Sequence, residues 1–280
     1  MGRIQHDGTV QTRIMETLLL SPELLGVLFC VALFAGFIDA IAGGGGLLTV
    51  PALLAVGLPP AQALATNKLQ SVGGSFSSSL YFIRRRVVNL AEQKWVILLT
   101  FLAAAAGALL VQRLQAEILR QLLPFLVIGV GLYFLLTPSL GATEGVRRVG
   151  MPLFAVLGGA SVGFYDGFFG PGAGSFYALG YVMLLGLSLP QATAHAKVLN
   201  FTSNAASLLL FIIGGNVVWS VGLCMLVGQA IGARVGARMV LTRGQQLIRP
   251  MIVVMSLIMS IKLLYDNHGS DILSWVQRWL

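Results

Sequence analysis

The stretch GFIDAIAGGGG, residues 36–46, lies in a run from 24 to 83 whose only charged side chains are Asp39 and Lys68. Its counterpart GFYDGFFGPGAG, residues 163–174, lies in a run from 149 to 233 whose only charged side chains are Asp166 and Lys197. Apolar runs of that length exceed what a buried soluble helix needs and read as membrane-spanning chain. A carboxylate next to a glycine run is what such a segment normally excludes. A helix broken inside the bilayer frees N–H and C=O groups that lipid cannot satisfy, so each break must face protein, water or a ligand.

Composition agrees. The chain has 280 residues, 56% of them hydrophobic and 10% charged, against roughly 25% charged in an average soluble domain. The net charge of +8 does not read as a nucleic-acid surface. The basic residues cluster in short segments between apolar runs, including Arg84, Arg85, Arg86 and Lys94, as membrane-flanking charge does. Cys30 and Cys224 lie in apolar segments without metal-ligand spacing and are read as packing. Residues 1–23 lack the pattern of a removable signal peptide, so the first apolar segment is expected to stay in place.

The predicted fold is an all-α polytopic membrane protein with about eight transmembrane helices in two homologous halves, each carrying a Gly-rich broken or re-entrant helix. Residues 1–23 form an N-terminal tail, 24–137 the first repeat, 138–150 a linker, 151–266 the second repeat and 267–280 an amphipathic C-terminal tail. In the first repeat the apolar pieces are 24–42, 47–56, 62–83, 95–112 and 118–137. In the second they are 151–169, 175–187, 192–213, 216–233 and 247–265. The tail WVQRWL, 275–280, carries two tryptophans suited to a membrane interface.

The halves align residue by residue. Gly36-Phe37-Ile38-Asp39 matches Gly163-Phe164-Tyr165-Asp166 at a shift of 127, and Gly43 and Gly45 match Gly170 and Gly172. After a two-residue insertion, Gly57-Leu58, Gln62-Ala63, Ala65 and Lys68 match Gly186-Leu187, Gln191-Ala192, Ala194 and Lys197 at a shift of 129. Pro124 and Pro250 extend the register. Duplicated membrane chains with matching interrupted helices are a common transporter architecture.

Two helices resuming after glycine breaks would aim unpaired N–H groups and positive dipole ends at one spot, which suits an anion. Tight helix packing, the reading given to Gly228, Gly232 and Gly236, is the alternative. Because glycine permits close approach, Gly44, Gly45, Gly172 and Gly174 are candidate substrate-binding positions. Lys68 and Lys197 need a reason to sit in mid-segment: they hold the anion, or they pair with Asp39 and Asp166. Those acids are candidates for proton coupling, with helix capping beside the breaks as the plainer role. Asn67, Ser71, Asn200 and Asn204 complete the candidate set, with Gln70 and Ser203 nearby. His195 is read as pocket lining or as a satisfied interhelical donor, and Gln229 with the same reserve. The sequence implies no metal, cofactor or catalytic residue.

Those segments, with ATNKLQS (65–71) and AHAKVLN (194–200), make the chain resemble the TauE/SafE sulfite exporter family from about residue 24 to 268. The resemblance implies a multi-pass permease of the plasma (bacterial inner) membrane for small anions, typically oxidised sulfur compounds such as sulfite. Proton-coupled or potential-driven mechanisms are often proposed for it. The partners expected are a small anionic substrate and the lipid bilayer, with no nucleic acid; the oligomeric state stays open, a homodimer included. An anion channel is the nearest rival. A membrane-embedded enzyme is more remote, since no Ser/His/Asp set, HExxH motif or close carboxylate pair is found. Positive-inside counting ties at ten to six whether the halves are parallel or inverted.

Overall fold

The computed structural model describes residues 21–115, 118 and 145–243. The expected segments 118–137 and 247–265, the tails and most of the linker lie outside the described residues.

Helix α1, Pro22–Ala42, starts where Ser21 accepts the Leu24 N–H, with proline in the first turn. It ends at Gly43, whose φ of +78° suits glycine and whose N–H donates to the Asp39 carbonyl. After the break come α2, Gly45–Ala55, and α3, Pro60–Arg84. Asn89 accepts the Ala91 N–H and starts α4, Leu90–Arg113. In the second half, α5 (Met151–Phe154), a π-helical turn (Ala155–Ala160) and α6 (Ser161–Phe168) form one continuous rod. The break at 169–172 leads to α7, Ala173–Leu185, then α8, Leu189–Ile213, and α9, Trp219–Arg243.

Among the described residues four helices are long and apolar enough to cross a membrane: Pro22–Ala42, Leu90–Arg113, Leu189–Ile213 and Trp219–Thr242. Helix α3 equals α8 in length, but Asn67, Lys68, Gln70 and five serines lower its hydropathy. Two serine hydroxyls bond back to carbonyls of their own helix, Ser75 to Ser71 at 2.5 Å and Ser78 to Gly74 at 3.0 Å. One expected boundary is wrong by ten residues: the segment read as 216–233 continues to Arg243. Arg234 does not end the helix, because its guanidinium rests over the Tyr81 ring at 4.6 Å while Gly232 and Gly236 stay buried.

Helix directions follow from which residues meet. A Cβ on Gly228, Gly232 or Gly236 would strike Phe29, Leu33 or Phe37 in turn, so α9 runs parallel to α1 at close range. Likewise Gly159, Gly163 and Gly167 rest on Val96, Thr100 and Ala104, so α5–α6 run parallel to α4. The first helix of each half therefore packs on the last described helix of the other. Thr66 meets Val218, Leu69 meets Gly222 and Gly73 meets Leu226, which makes α3 parallel to α9. Val96 clusters with Ala192 and Ala196, and Val111 with Phe211, which makes α4 parallel to α8.

Helices α3 and α8 oppose each other: Ala65 shares a cluster with Phe211, Phe76 stacks near Phe201, and Phe82 clusters with Ala194. Helices α1, α3 and α9 thus point one way, and α4, α6 and α8 the other. Equivalent helices run in opposite directions, so the two halves are inverted repeats. The short helices make this parity work. Leu53 clusters with Leu28 and Ala32, and Gly180 lies against Phe154, so α2 and α7 fold back along the helices that precede them. With 11 residues, α2 is about 16 Å long, roughly half of the hydrocarbon thickness. Its starting end, the break, therefore lies deep in the membrane.

Inversion gathers most of the described basic residues on one face. Arg84, Arg85, Arg86, Lys94, Arg147, Arg148, Arg234, Arg238 and Arg243 all lie toward the face where α3 and α9 end. Among the described residues, the other face carries one basic residue, Arg113 at the end of α4.

Candidate functional site

The two breaks meet. A Cβ on Gly43 would collide with the backbone of Gly174 and Ser175, and one on Gly174 would lie 2.9 Å from Gly43 Cα. The Ser175 hydroxyl donates to the Ala42 carbonyl and stitches the break of one half to that of the other. Gly170 and Gly172, with φ of +98° and +83°, shape the second break. Pro171 fills the space beside Gly46, and its carbonyl accepts from the Tyr165 hydroxyl at 2.7 Å.

Around this junction each lysine pairs with the acid of the opposite half. Lys68 Nζ lies 2.6 Å from Asp166 Oδ1, and Lys197 Nζ lies 2.9 Å from Asp39 Oδ2. All four are buried, the lysines to 1% exposure. Each carboxylate has further partners. Asp39 Oδ1 accepts the Gly45 N–H at 3.3 Å and so caps α2. Asp166 Oδ2 accepts from the Ser203 hydroxyl, while its backbone carbonyl accepts from Lys68. Ion pairing and helix capping, the plainer roles that the sequence offered for these groups, coexist in Asp39. Buried charges in lipid-embedded protein survive when paired and hydrogen-bonded in this manner.

A polar cavity of about 10 Å³ sits between the pairs, room for about one water. Its wall contains Asp39, Asp166, Asn67, Ser71, Asn200 and Asn204, with backbone from Gly43, Gly46, Gly170, Gly172 and Gly174. Gly46 and Gly174 are the second residues of α2 and α7, where N–H groups have no helical acceptor. The asparagines are oriented by their neighbours. Asn67 Oδ1 accepts from the Thr49 hydroxyl at 2.6 Å and Gln70 Nε2 at 2.9 Å, which leaves its amide nitrogen as the donor for the cavity. Asn204 Nδ2 spends its hydrogens on Asn200, at 2.7 Å to the carbonyl and 2.9 Å to Oδ1.

Of the residues singled out in the sequence, Asn67, Ser71, Asn200, Asn204, Gly172 and Gly174 come together on this wall with both acids. Lys68 and Lys197 do not line the cavity; each ammonium is held by a carboxylate that does. Gly44 and Gly45 do not line it either: Gly45 turns its N–H to Asp39, and a Cβ on Gly44 would meet only Leu47, at 3.5 Å. His195 is absent from the wall; its Nδ1 lies 2.8 Å from the Gln191 carbonyl of its own helix. Gln70 turns from the cavity toward Asn67. Cys30 is exposed, contrary to the packing reading, whereas Cys224 Sγ sits 3.6 Å from the Leu25 carbonyl. Ser203, noted in the sequence, holds the site together with Thr49 and Ser175, whose lone hydroxyls in apolar segments gave little signal there.

Comparison with known proteins places this arrangement. The model of the family "Sulfite exporter TauE/SafE" matches residues 28–263. The probable membrane transporter protein YfcA of Escherichia coli K12 is 63% identical over 259 residues, covering 92% of this chain and 96% of the relative. A probable membrane transporter protein of Haemophilus influenzae Rd is 54% identical over 245 residues, 88% of this chain and 96% of the relative. The probable membrane transporter protein ORF9 of a Sinorhizobium species is 46% identical over 244 residues, 87% and 94% respectively. No solved structure matches. With a family match across most of its length and inverted halves meeting at paired helix breaks, the chain belongs to the TauE/SafE sulfite exporter family of membrane proteins.

Proposed function

We propose that the protein is a secondary transporter that carries a small anion, a sulfur oxyanion such as sulfite or an organosulfonate, through the junction of the two breaks. The observation that carries this reading is the crosswise pairing of Lys68 with Asp166 and Lys197 with Asp39 around one polar cavity. Inverted repeats with a mid-membrane site rock about that site to open it to each side in turn. At about 10 Å³ the cavity corresponds to a closed state, and separating the halves widens it.

Each ion pair bridges the halves, so opening and ligand binding act on the same bonds. A proton arriving with the substrate neutralises Asp166 or Asp39, and the freed ammonium of Lys68 or Lys197 turns to the anion. The charge of the site is then balanced without an unpaired buried lysine. The amides of Asn67 and Asn200, the Ser71 hydroxyl and the N–H groups of Gly46 and Gly174 replace the water shell of the anion's oxygens. The lysines thus reach substrate only after their carboxylates release them.

The arginine-rich face is cytoplasmic by the positive-inside rule, so α1 enters from outside. The test is reconstitution into liposomes that carry an internal pH dye and are given sulfite, an organosulfonate or acetate. Anion flux accompanied by proton movement, lost in Lys68→Ala and Lys197→Ala, is expected. Unchanged flux in both variants would refute the role of the lysines, and flux without proton movement would refute coupling.

A further inference from the structure

Between α3 and α9, away from the junction of the breaks, lies an open groove of about 570 Å³. Phe76, Leu80 and Arg84 on α3 face Ala230, Ile231 and Arg234 on α9 across it, and Gly73 and Leu226 close its inner end. Apart from Ser77 and the two arginines, the side chains along it are apolar. From Gly73 to Arg84 the wall is about 16 Å long at 1.5 Å per residue, roughly half of the hydrocarbon thickness. The groove thus spans one leaflet, from the bilayer interior to the headgroup level. Both arginines sit toward its outer end, on the face that carries nine of the described basic residues.

Among the described residues these arginines have no salt-bridge partner, the only ion pairs there being the two at the junction. Arg234 and Arg85 flank the Tyr81 ring at 4.6 and 5.6 Å, which orients them without neutralising them. Glu92, the described carboxylate on this face, accepts from Asn89 at 2.7 Å.

We propose that the groove binds an anionic phospholipid of the arginine-rich leaflet, one acyl chain lying along Phe76, Leu80 and Ile231 and the phosphate held between Arg84 and Arg234. Basic pockets between helices on the cytoplasmic side recognise anionic headgroups in this manner, each arginine adding attraction near the surface. Phosphatidylethanolamine carries an ammonium that the arginines repel, and among the described residues a second copy of the chain offers only Glu92 on this face with which to meet them.

Native mass spectrometry of the purified protein tests this, with phosphatidylglycerol and phosphatidylethanolamine added in equal amounts. The wild type is expected to retain phosphatidylglycerol about tenfold over the zwitterionic lipid. Arg84→Gln/Arg234→Gln is expected to reduce that preference to less than about twofold, and Arg84→Gln alone to about threefold. Ala230→Trp, which fills the groove, is expected to lower retention of both lipids. Equal retention by the wild type, an unchanged preference in the double variant, or a change of oligomeric state without lipid loss in Ala230→Trp would overturn the proposal.

Discussion

Lys68 and Asp166 approach to 2.6 Å in the interior although 98 residues and the boundary between the repeats separate them. The second pair, Lys197 with Asp39, repeats the relationship with the halves exchanged. Neither half is neutral pair by pair within itself; each supplies the counter-ion of the other. The halves are thereby tied at the junction through which the proposed transport path runs, and the predictions below follow from that.

Truncating one partner should cost more than removing both. Lys68→Ala leaves a buried carboxylate uncompensated, a loss of about 3–5 kcal/mol, whereas Lys68→Met/Asp166→Asn removes both charges. Thermal unfolding followed by tryptophan fluorescence is expected to show a lower midpoint for the single variant and substantial recovery in the double. Both are expected to be inactive in anion flux. A double variant no more stable than the single would show that the pair is not the stabilising element.

The glycines of the first break differ in what they tolerate. Gly43 has φ +78° and lies against the Gly174 and Ser175 backbone, while a Cβ on Gly44 meets only Leu47, at 3.5 Å. Gly43→Ala is expected to destabilise by about 2 kcal/mol or more, from left-handed strain plus the clash. Gly44→Ala is expected to stay within about 0.5 kcal/mol. Melting midpoints of the two purified variants compare them directly; equal effects would place the breaks apart.

The inverted halves set the side of each loop. In a background with Cys30 and Cys224 replaced, Val146→Cys before α5 lies on the arginine-rich face, and Ser220→Cys at the start of α9 lies on the opposite one. A membrane-impermeant maleimide is expected to label Ser220→Cys in intact cells and Val146→Cys only after permeabilisation. The reverse pattern would place the arginine-rich face outside. Labelling of both from outside would contradict the inversion.

Much of this site was legible in the sequence, and the missing part has a physical cause. A glycine run beside an acid in an apolar segment announces a break, because glycine takes φ values such as that of Gly43 without strain and lipid excludes unpaired backbone. The polar residues one helical turn apart on α8, Asn200 and Asn204, follow from periodicity. Which lysine meets which acid did not follow. The repeat places Asp39 and Lys68 in one half, and sequence distance says nothing about an antiparallel partner across the duplication.

Inversion was hidden for a related reason: parallel and inverted halves give the same ten-to-six split, and inversion requires a very short pass at 47–56. Helix α2, Gly45–Ala55, is that pass, and the contacts that make α9 parallel to α1 and α3 put Arg234 and Arg238 on the face of Arg84–Arg86. The absence of Lys68 and Lys197 from the cavity wall could not be read from composition, because a buried ammonium satisfies the same pattern whether it holds a solute or a side chain.

The most direct test of the central claim is counterflow. Liposomes holding the protein and preloaded with unlabelled sulfite are diluted into radiolabelled sulfite, and transient accumulation is followed for the wild type, Asn67→Leu and Asn200→Leu. Overshoot in the wild type, abolished in both variants while their melting midpoints remain within a few degrees of it, is the expected result. Overshoot of equal size in all three would contradict an anion path through the junction of the two breaks.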